Sequence, residues 1–235
     1  MILEISDFHA GYIRDANVLQ GVDLSVRAGE RLAIMGRNGM GKTLLVKSIM
    51  GLVRPSAGAI RFDGMAITGM PTHRISNLGV AYVPQGREIF ADFTVLENLR
   101  LGIIGKPALR SESFDQVFEW FPILAERKSQ RAGTMSGGQM QQLAIARALV
   151  GRPKLLLLDE PSEGIQPSIV HEIAVTLNRI SADEALTVVV IEQNVEMVER
   201  LSERVLFLEN GRIAEQANVH DLSEDPSVIE RYLGV

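Results

Sequence analysis

The 235-residue sequence contains no cysteine and carries no excess of positive charge. Without cysteine the chain has no disulfide, no thiolate zinc site and no cysteine nucleophile. The formal net charge is −5, so no overall basic field draws the protein toward nucleic acid. These absences exclude thiol chemistry, and we expect no nucleic-acid partner.

Long apolar runs are also missing. The longest, at residues 155–158 and 188–191, have the length of buried strands and fall far short of the ~18 residues that indicate a membrane span. The N-terminus contains Glu4 and Asp7 and lacks the basic start of a secretory signal. We therefore expect a cytoplasmic protein, which needs a membrane partner in order to act at a membrane.

Short apolar strands alternate with helical segments along most of the chain. Strand patterns occur at residues 31–35, 60–63, 80–83, 155–158, 187–191, 204–208 and 212–214, with helical patterns at 42–50, 167–180 and 195–201. This alternation predicts an α/β fold with a largely parallel sheet whose faces are covered. The alternating residues at the start predict an N-terminal antiparallel β portion, and residues 94–150 predict an inserted helical subdomain.

The segment GRNGMGKT fits the phosphate-loop pattern G-x-x-x-x-G-K-[ST] between a predicted strand and a predicted helix. Its glycines permit turns with positive φ and leave room for phosphate oxygens, while successive backbone N–H groups point into one concavity. The Lys42 ammonium can reach the β- and γ-phosphates, and the Thr43 hydroxyl can bind Mg²⁺. The residues expected to hold the nucleotide phosphates are Gly36, Arg37, Asn38, Gly39, Met40, Gly41, Lys42, Thr43 and Leu44.

This loop makes ATP and Mg²⁺ the expected ligands. The fold it predicts is a P-loop NTPase (RecA-like) core, with residues 1–86 and 151–235 forming the nucleotide-binding core. Residues 87–150 then form the helical subdomain.

Two carboxylates follow the apolar run in LLLLDEP. A buried strand that ends in acidic residues is costly unless the acids serve a charge. Alternation along the strand predicts that Asp159 and Glu160 point in different directions. Asp159 can hold Mg²⁺ through water beside Thr43, and Glu160 can act as general base toward an attacking water. The alternative is a pair of solvated acids at a turn, and the upstream phosphate loop favours the first interpretation.

A third motif, SGGQ, stands at the start of the helical run MQQLAIARALV. Ser136 with Gln139 three residues later predicts a capping box, and by itself the motif indicates only a well-capped helix. Gly137 and Gly138 weaken the helix and leave its first N–H groups uncovered, and an open helix N-terminus attracts anions.

The phosphate loop, MSGGQ and LLLLDEP, in this order around a helical insert, resemble the ATP-binding-cassette (ABC) ATPases over essentially the whole chain. The resemblance implies that Tyr12 stacks on adenine. It implies that Gln85, in YVPQGREIF, senses Mg²⁺ and the γ-phosphate and links to a transmembrane partner. The γ-phosphate of ATP held by an opposite subunit would be bound by Ser136, Gly137, Gly138 and Gln139. Two chains would then close head-to-tail over two ATP molecules and reopen after hydrolysis.

The sequence departs from the general family pattern in the residues around the γ-phosphate. Gln193, in VVVIEQN, occupies the position where the family usually has histidine. Glutamine donates a hydrogen bond but cannot carry a proton, so we hypothesise that Gln193 positions the γ-phosphate and that Glu160 dominates the chemistry. Leu44 stands where a second threonine is frequent, which removes a hydroxyl contact but leaves a backbone amide for the α-phosphate.

The run SEGIQP lacks the aspartate that often bridges two subunits in the family. Glu163 and Gln166 are the candidates to replace it.

These departures, with EWFPILAERK, RAGTMSGGQ and LENGRI, resemble the second ATPase of uptake systems for branched-chain amino acids, urea and short amides. PQGREIF and DEPSEGIQPS are closer to the urea and amide branch, and the ending RYLGV is closer to the amino-acid branch. The resemblance implies transmembrane permease subunits, a second ABC ATPase subunit and, indirectly, a substrate-binding protein. A heterodimer is favoured over a homodimer, at the cytoplasmic face of the plasma membrane as a peripheral protein.

The same resemblance implies that a groove beside Gln85 accepts a cytoplasmic helix of the permease. Ile89, Phe90 and Phe93 are candidate apolar contacts there, or else they pack the helical subdomain against the core.

Three other functions compete with the importer hypothesis. A lipopolysaccharide-export ATPase usually keeps histidine where this chain has Gln193. ABC ATPases of translation or DNA repair usually carry two cassettes or long inserts, which this chain lacks. A small-molecule P-loop kinase has no reason to carry MSGGQ.

Overall fold

The computed structural model describes residues 1–13, 16–106, 112–224 and 231–233, and the last two residues of the ending RYLGV lie outside these ranges. The strands, in chain order, are β1 (Leu3–Ala10), β2 (Leu19–Val26), β3 (Arg31–Met35), β4 (Pro55–Phe62), β5 (Met65–Ala66), β6 (Val80–Val83), β7 (Leu155–Asp159), β8 (Thr187–Ile191), β9 (Arg204–Glu209) and β10 (Arg212–Asn218). The helices are α1 (Lys42–Ile49), α2 (Thr72–Leu78), α3 (Val95–Leu101), α4 (Glu112–Trp120), α5 (Pro122–Glu126), α6 (Gly137–Leu149), α7 (Pro167–Glu184), α8 (Val195–Leu201) and α9 (Val219–Glu224).

These strands form two sheets. A smaller sheet has the order β2-β1-β4-β5 and is antiparallel, as the alternating N-terminal residues predicted. The larger sheet has the order β10-β9-β3-β8-β7-β6, parallel throughout except for the edge strand β10. The predicted α/β fold is therefore confirmed.

Strands β7 and β8 are buried at every residue, because helices or the smaller sheet cover both faces of the larger one. Burial on two faces requires continuous apolar runs, which is why the sequence pattern identified both strands. Strand β4 begins five residues before its predicted start at residue 60, because its first half is largely exposed and shows no apolar alternation.

Helices of the insert pack directly on the larger sheet. Val95 of α3 and Leu143 of α6 belong to the same buried cluster as Leu156 of β7 and Val188 of β8. The division into a core (1–86 and 151–235) and a helical subdomain (87–150) stays a prediction. Within the described ranges, no helix has the length and apolar character needed to cross a bilayer.

The functional motifs meet at one edge of the larger sheet. The carboxyl end of β3 leads into the phosphate loop, that of β7 into Glu160, that of β8 into Glu192 and Gln193, and that of β6 toward Gln85. Parallel neighbours bring these ends together, and crevices at the carboxyl ends of such strands are the usual ligand sites of open α/β sheets.

Two hairpins use the same turn geometry in different surroundings. Asp63–Gly64 joins β4 to β5 with φ values of 49° and 75°, and Asn210–Gly211 joins β9 to β10 with 48° and 74°. A Cβ on Gly64 would meet nothing within 4 Å, whereas one on Gly211 would lie 1.7 Å from the Val18 carbonyl oxygen. The Gly211 carbonyl also accepts a hydrogen bond from the Gln20 N–H at 2.9 Å, so this turn packs against the start of β2.

We expect Gly64→Ala to cost about 1–2 kcal/mol of unfolding free energy, because alanine disfavours positive φ. Gly211→Ala should cost roughly 1–3 kcal/mol more, since the added methyl also displaces backbone. Urea unfolding of the two variants measures the difference directly, because their backbone strain is matched. Equal losses would contradict the close approach at Gly211.

Candidate functional site

The phosphate loop requires glycine at two positions, each because of a positive φ and a close neighbour. Gly36 has φ 146°, and a Cβ there would lie 2.3 Å from the Leu208 carbonyl oxygen. Gly41 has φ 102° at the N-cap of α1, and a Cβ there would lie 2.8 Å from Leu19 Cδ2. Backbone conformation and close packing therefore both fix the shape of the loop.

Lys42 projects from the first turn of α1 into the loop. Its Nζ donates to the Gly36 carbonyl at 2.5 Å and to the Arg37 carbonyl at 3.0 Å. Burial lowers the pKa of Lys42 below its usual value, and the carboxylates of Glu160 and Asp159 oppose that shift. An ammonium with reduced hydration inside a loop of N–H donors is a favourable place for an anion.

Asp159 ends β7 and is 1% exposed. Its Oδ1 accepts from the Thr43 hydroxyl at 3.0 Å, and its Oδ2 accepts from the Tyr82 hydroxyl at 3.0 Å. Burial raises the pKa of Asp159, and the two hydrogen bonds act against that rise. The pKa of Tyr82 is also raised, chiefly by burial and then by Asp159, so the phenol stays protonated and donates.

Glu160 lies beyond the end of β7, in the left-handed region at φ 47°. Its Oε1 accepts from Gln193 Nε2 at 2.9 Å, and its Oε2 accepts from Gln85 Nε2 at 3.1 Å. The prediction that strand alternation separates the two acids was incomplete. The strand stops at Asp159. Glu160 itself has the left-handed conformation, and this conformation directs its side chain toward the two amides.

Gln193 is held by the loop that follows β8. Besides Glu160, its Nε2 donates to Asn38 Oδ1 of the phosphate loop at 2.7 Å. Beneath it, the buried Glu192 accepts from the backbone N–H groups of Ser162, Gln193 and Asn194 at 2.8, 2.9 and 3.0 Å. Burial raises the pKa of Glu192, and these hydrogen bonds counteract it.

Gln85 shares its amide nitrogen between two carboxylates. It donates to Glu160 as described, and also to Glu163 Oε2 at 3.1 Å. Glu163, a candidate for an inter-subunit contact, is therefore engaged within its own chain. Arg87 donates two further hydrogen bonds, from Nη2 to the Glu163 carbonyl at 3.0 Å and from Nε to Gln141 Oε1 at 3.2 Å.

The start of α6 has the predicted capping box. Ser136 Oγ accepts from the Gln139 N–H at 3.3 Å, and Gln139 Oε1 accepts from the Ser136 N–H at 3.0 Å. A Cβ on Gly138 would lie 2.8 Å from Ile169 Cγ2, so this glycine also permits close packing of α7. Gly137 has space around it and lies beside the Arg87 guanidinium.

The structure therefore brings together the phosphate loop, Gln85, Asp159, Glu160 and Gln193. For two other predicted site residues the structure gives the exposure of the side chain and does not test the predicted role. The Tyr12 side chain is 63% exposed, and the Leu44 side chain is buried in the apolar core. Residues 136–139 bond to one another and not to the phosphate loop in the hydrogen bonds of the described ranges.

Sequence reasoning missed Tyr82, Arg87, Gln141 and Glu192. Only Glu192 carried a signal, because it is an acid directly after the buried strand of VVVIEQN. The others depend on which elements lie side by side.

Asp159 and Thr43 suit a hard cation that takes most of its ligands from water and phosphate. Within the described ranges, no group of three or more His, Cys, Asp or Glu side chains forms a metal cage. A buried carboxylate beside the Thr43 hydroxyl instead suits Mg²⁺, which binds through one or two protein oxygens together with water and phosphate oxygens.

Comparison with known proteins gives consistent relatives. A family model described as ABC transporter matches residues 19–163. The high-affinity branched-chain amino acid transport ATP-binding protein BraG of Pseudomonas aeruginosa is 40% identical over 225 residues, covering 95% of this chain and 96% of BraG. The probable branched-chain amino acid transport ATP-binding protein LivF of Archaeoglobus fulgidus is 33% identical, covering 100% and 99%. The crystal structure of an ABC transporter ATP-binding cassette in its ADP conformation superposes with a TM-score of 0.86 at 28% identity, covering 100% and 99%.

The contacts of Glu160 and Gln193 predict that substitution of Glu160 slows ATP hydrolysis more than substitution of Gln193. Glu160→Gln should lower kcat by about 10²–10⁴-fold, because it removes the carboxylate that we expect to act as general base. Gln193→Ala should lower kcat by roughly ten-fold, the value of a hydrogen bond to a charged group. Steady-state phosphate release measures both. An unchanged rate in Gln193→Ala alongside an inactive Glu160→Gln would disprove the positioning role of Gln193.

Proposed function

This chain belongs to the ABC transporter family and is an ATP-hydrolysing subunit, and from that premise we propose that it drives an importer of branched-chain amino acids or of related amides and urea. Support comes from BraG and LivF, which are named for branched-chain amino acid transport and match nearly the whole chain. These relatives do not favour the export, non-transport or kinase alternatives. The observation that carries the ATPase chemistry is Glu160, held between the Gln85 and Gln193 amides at the mouth of the phosphate loop.

Hydrolysis follows from the placement of these groups. The phosphate loop and Lys42 bind the β- and γ-phosphates of ATP. Glu160 takes the proton of a water whose oxygen bonds to the γ-phosphorus, while the bond from that phosphorus to the bridging oxygen breaks and leaves ADP. Both Nε2 hydrogens of Gln193 are donated within the chain, so one of them would turn from Asn38 to the γ-phosphate when ATP binds, and the amide transfers no proton in the reaction.

Thr43, Asp159 and Gln85 would hold Mg²⁺. The metal, when bound, neutralises charge that develops on the phosphate oxygens. Tyr12 would stack on adenine, and the 63% exposure of its side chain supports that role.

A second ATPase subunit completes the proposed site. Ser136, Gly137, Gly138 and Gln139 would bind the γ-phosphate of ATP held by that subunit, since the open start of α6 attracts anions. We propose a heterodimer, with a homodimer as the alternative.

The proposed membrane partner is a permease that docks beside Gln85. Phe90 and Phe93 are 51% and 41% exposed and stack at 5.4 Å between ring centroids, so they present an apolar surface. Ile89 instead packs partly against the core cluster, which was its alternative role. The chain would then be a peripheral protein at the cytoplasmic face of the plasma membrane, and the permease with a substrate-binding protein would select the substrate.

Subunit pairing is testable with a variant that binds ATP without turnover. We expect Glu160→Gln, mixed with the second ATPase subunit, ATP and Mg²⁺, to form a dimer by analytical ultracentrifugation, because unhydrolysed ATP holds the interface closed. The variant alone should stay monomeric. A stable ATP-dependent dimer of the variant alone would assign the homodimer instead, and Lys42→Ala provides the control that does not bind the phosphates.

Transport is tested by uptake of labelled leucine, urea and a short amide in a strain lacking this chain. Uptake of one of them should fall to background and return with the wild-type chain but not with Glu160→Gln, because transport requires hydrolysis. No change for any of the three would remove the importer assignment and leave the ATPase assignment intact.

A further inference from the structure

Tyr82 lies between the Asp159 carboxylate and a groove on the protein surface. It belongs to β6 and is half-buried, and its hydroxyl donates to Asp159 Oδ2 at 3.0 Å. It also lines a groove of about 430 Å³, whose other lining residues include Glu88, Phe90, Ile104 and Arg147. One residue therefore both lines the groove and contacts the carboxylate.

The groove has the surface of a docking site for a helix. Phe90 and Ile104 are 51% and 71% exposed, so apolar surface lies open to solvent there. Glu88 adds one negative charge to the groove, and Lys106 and Arg147 add two positive charges. The Arg147 guanidinium donates a hydrogen bond to the Glu88 carbonyl at 2.8 Å. These features, together with the continuity to Phe93 through the Phe90 stack, fit the permease helix already proposed.

The hydroxyl of Tyr82 matters to Asp159 because that carboxylate is buried. Thr43 of α1 donates to Oδ1, and Tyr82 of β6 donates to Oδ2, so two elements hold the carboxylate from its two oxygens. Removal of one donor leaves a buried charged oxygen without a partner and frees the carboxylate to rotate.

We propose that Tyr82 is a positioning residue that links the permease groove to the carboxylate expected to hold Mg²⁺. Its hydroxyl fixes the orientation of Asp159, and its ring forms part of the surface that a permease helix contacts. Displacement of the ring by that helix moves the hydroxyl and changes the affinity for Mg²⁺. The inference rests on the proposed function, because it uses the permease and the metal.

Tyr82→Phe tests the proposed role of the hydroxyl in orienting Asp159, since it removes one oxygen atom and keeps the ring. Tyr232→Phe is the matched control, because the Tyr232 hydroxyl also donates to a carboxylate, Glu215 Oε2, at 3.1 Å. The readout is binding of a fluorescent ADP to the full-length chain, titrated with Mg²⁺ and repeated in excess EDTA. The control variant should bind as the wild-type chain does under both conditions.

In Tyr82→Phe we expect the Mg²⁺ concentration for half-maximal enhancement of ADP binding to rise by roughly ten-fold, the effect of a hydrogen bond to a charged group. Affinity in EDTA should stay unchanged, and the difference should vanish in an Asp159→Asn background. An unshifted Mg²⁺ titration would overturn the proposal. So would an equal loss with and without Mg²⁺, which a purely structural role predicts. Failure of the wild-type chain to bind ADP would instead count against the proposed function.

The second part is tested by the same titration on the assembled transporter. The wild-type chain should show a different Mg²⁺ dependence when bound to its permease, and Tyr82→Phe should reduce that difference. An identical Mg²⁺ dependence for the free and permease-bound wild-type chain would overturn the link to the groove.

Discussion

The site depends on the concentration of negative charge at the carboxyl end of the parallel sheet. Asp159 and Glu192 are buried and Glu160 stands beside them, with the Lys42 ammonium close enough to interact with all three. Burial of carboxylates is costly unless donors surround them. Each carboxylate has such donors: hydroxyls for Asp159, backbone N–H groups for Glu192 and side-chain amides for Glu160. The proposed Mg²⁺ would add positive charge beside these carboxylates.

Neutral donors around Glu160 define how this ATPase works. Gln193 uses one Nε2 to reach both Glu160 and Asn38 of the phosphate loop, so the carboxylate and the loop move together. A glutamine has no ionisable proton, which supports the proposal that Glu160 accepts the proton of water. Glu160 itself is held in a left-handed conformation, a strain of the kind that is tolerated where the surrounding contacts determine the geometry.

The sequence predicts the motifs more completely than their neighbours. Strands β7 and β8 were identified because burial on two faces produces apolar runs, and the phosphate loop and capping box are local patterns. Tyr82 could not be predicted, since its partner lies 77 positions away and meets it only because β6 is placed next to β7. Arg87 was missed for the same reason, because it joins segments 54 and 76 positions away. Strand order is a property of the assembled fold that no local spacing encodes.

Gln85, which we propose lies beside the permease, contacts two carboxylates through a single amide, the proposed base Glu160 and its neighbour Glu163. Both hydrogens of its Nε2 go to carboxylates, Glu160 and Glu163, which leaves Oε1 as the end that can face a cation. Polarisation of an amide at its oxygen strengthens donation from its nitrogen, because hydrogen bonds in a chain reinforce one another. The proposed binding of a metal at Oε1 and the placement of Glu160 would therefore support each other. A permease that shifts Gln85 would weaken both at once, whereas one that acts on Tyr82 would change the proposed metal contact of Asp159 and leave Glu160 in place.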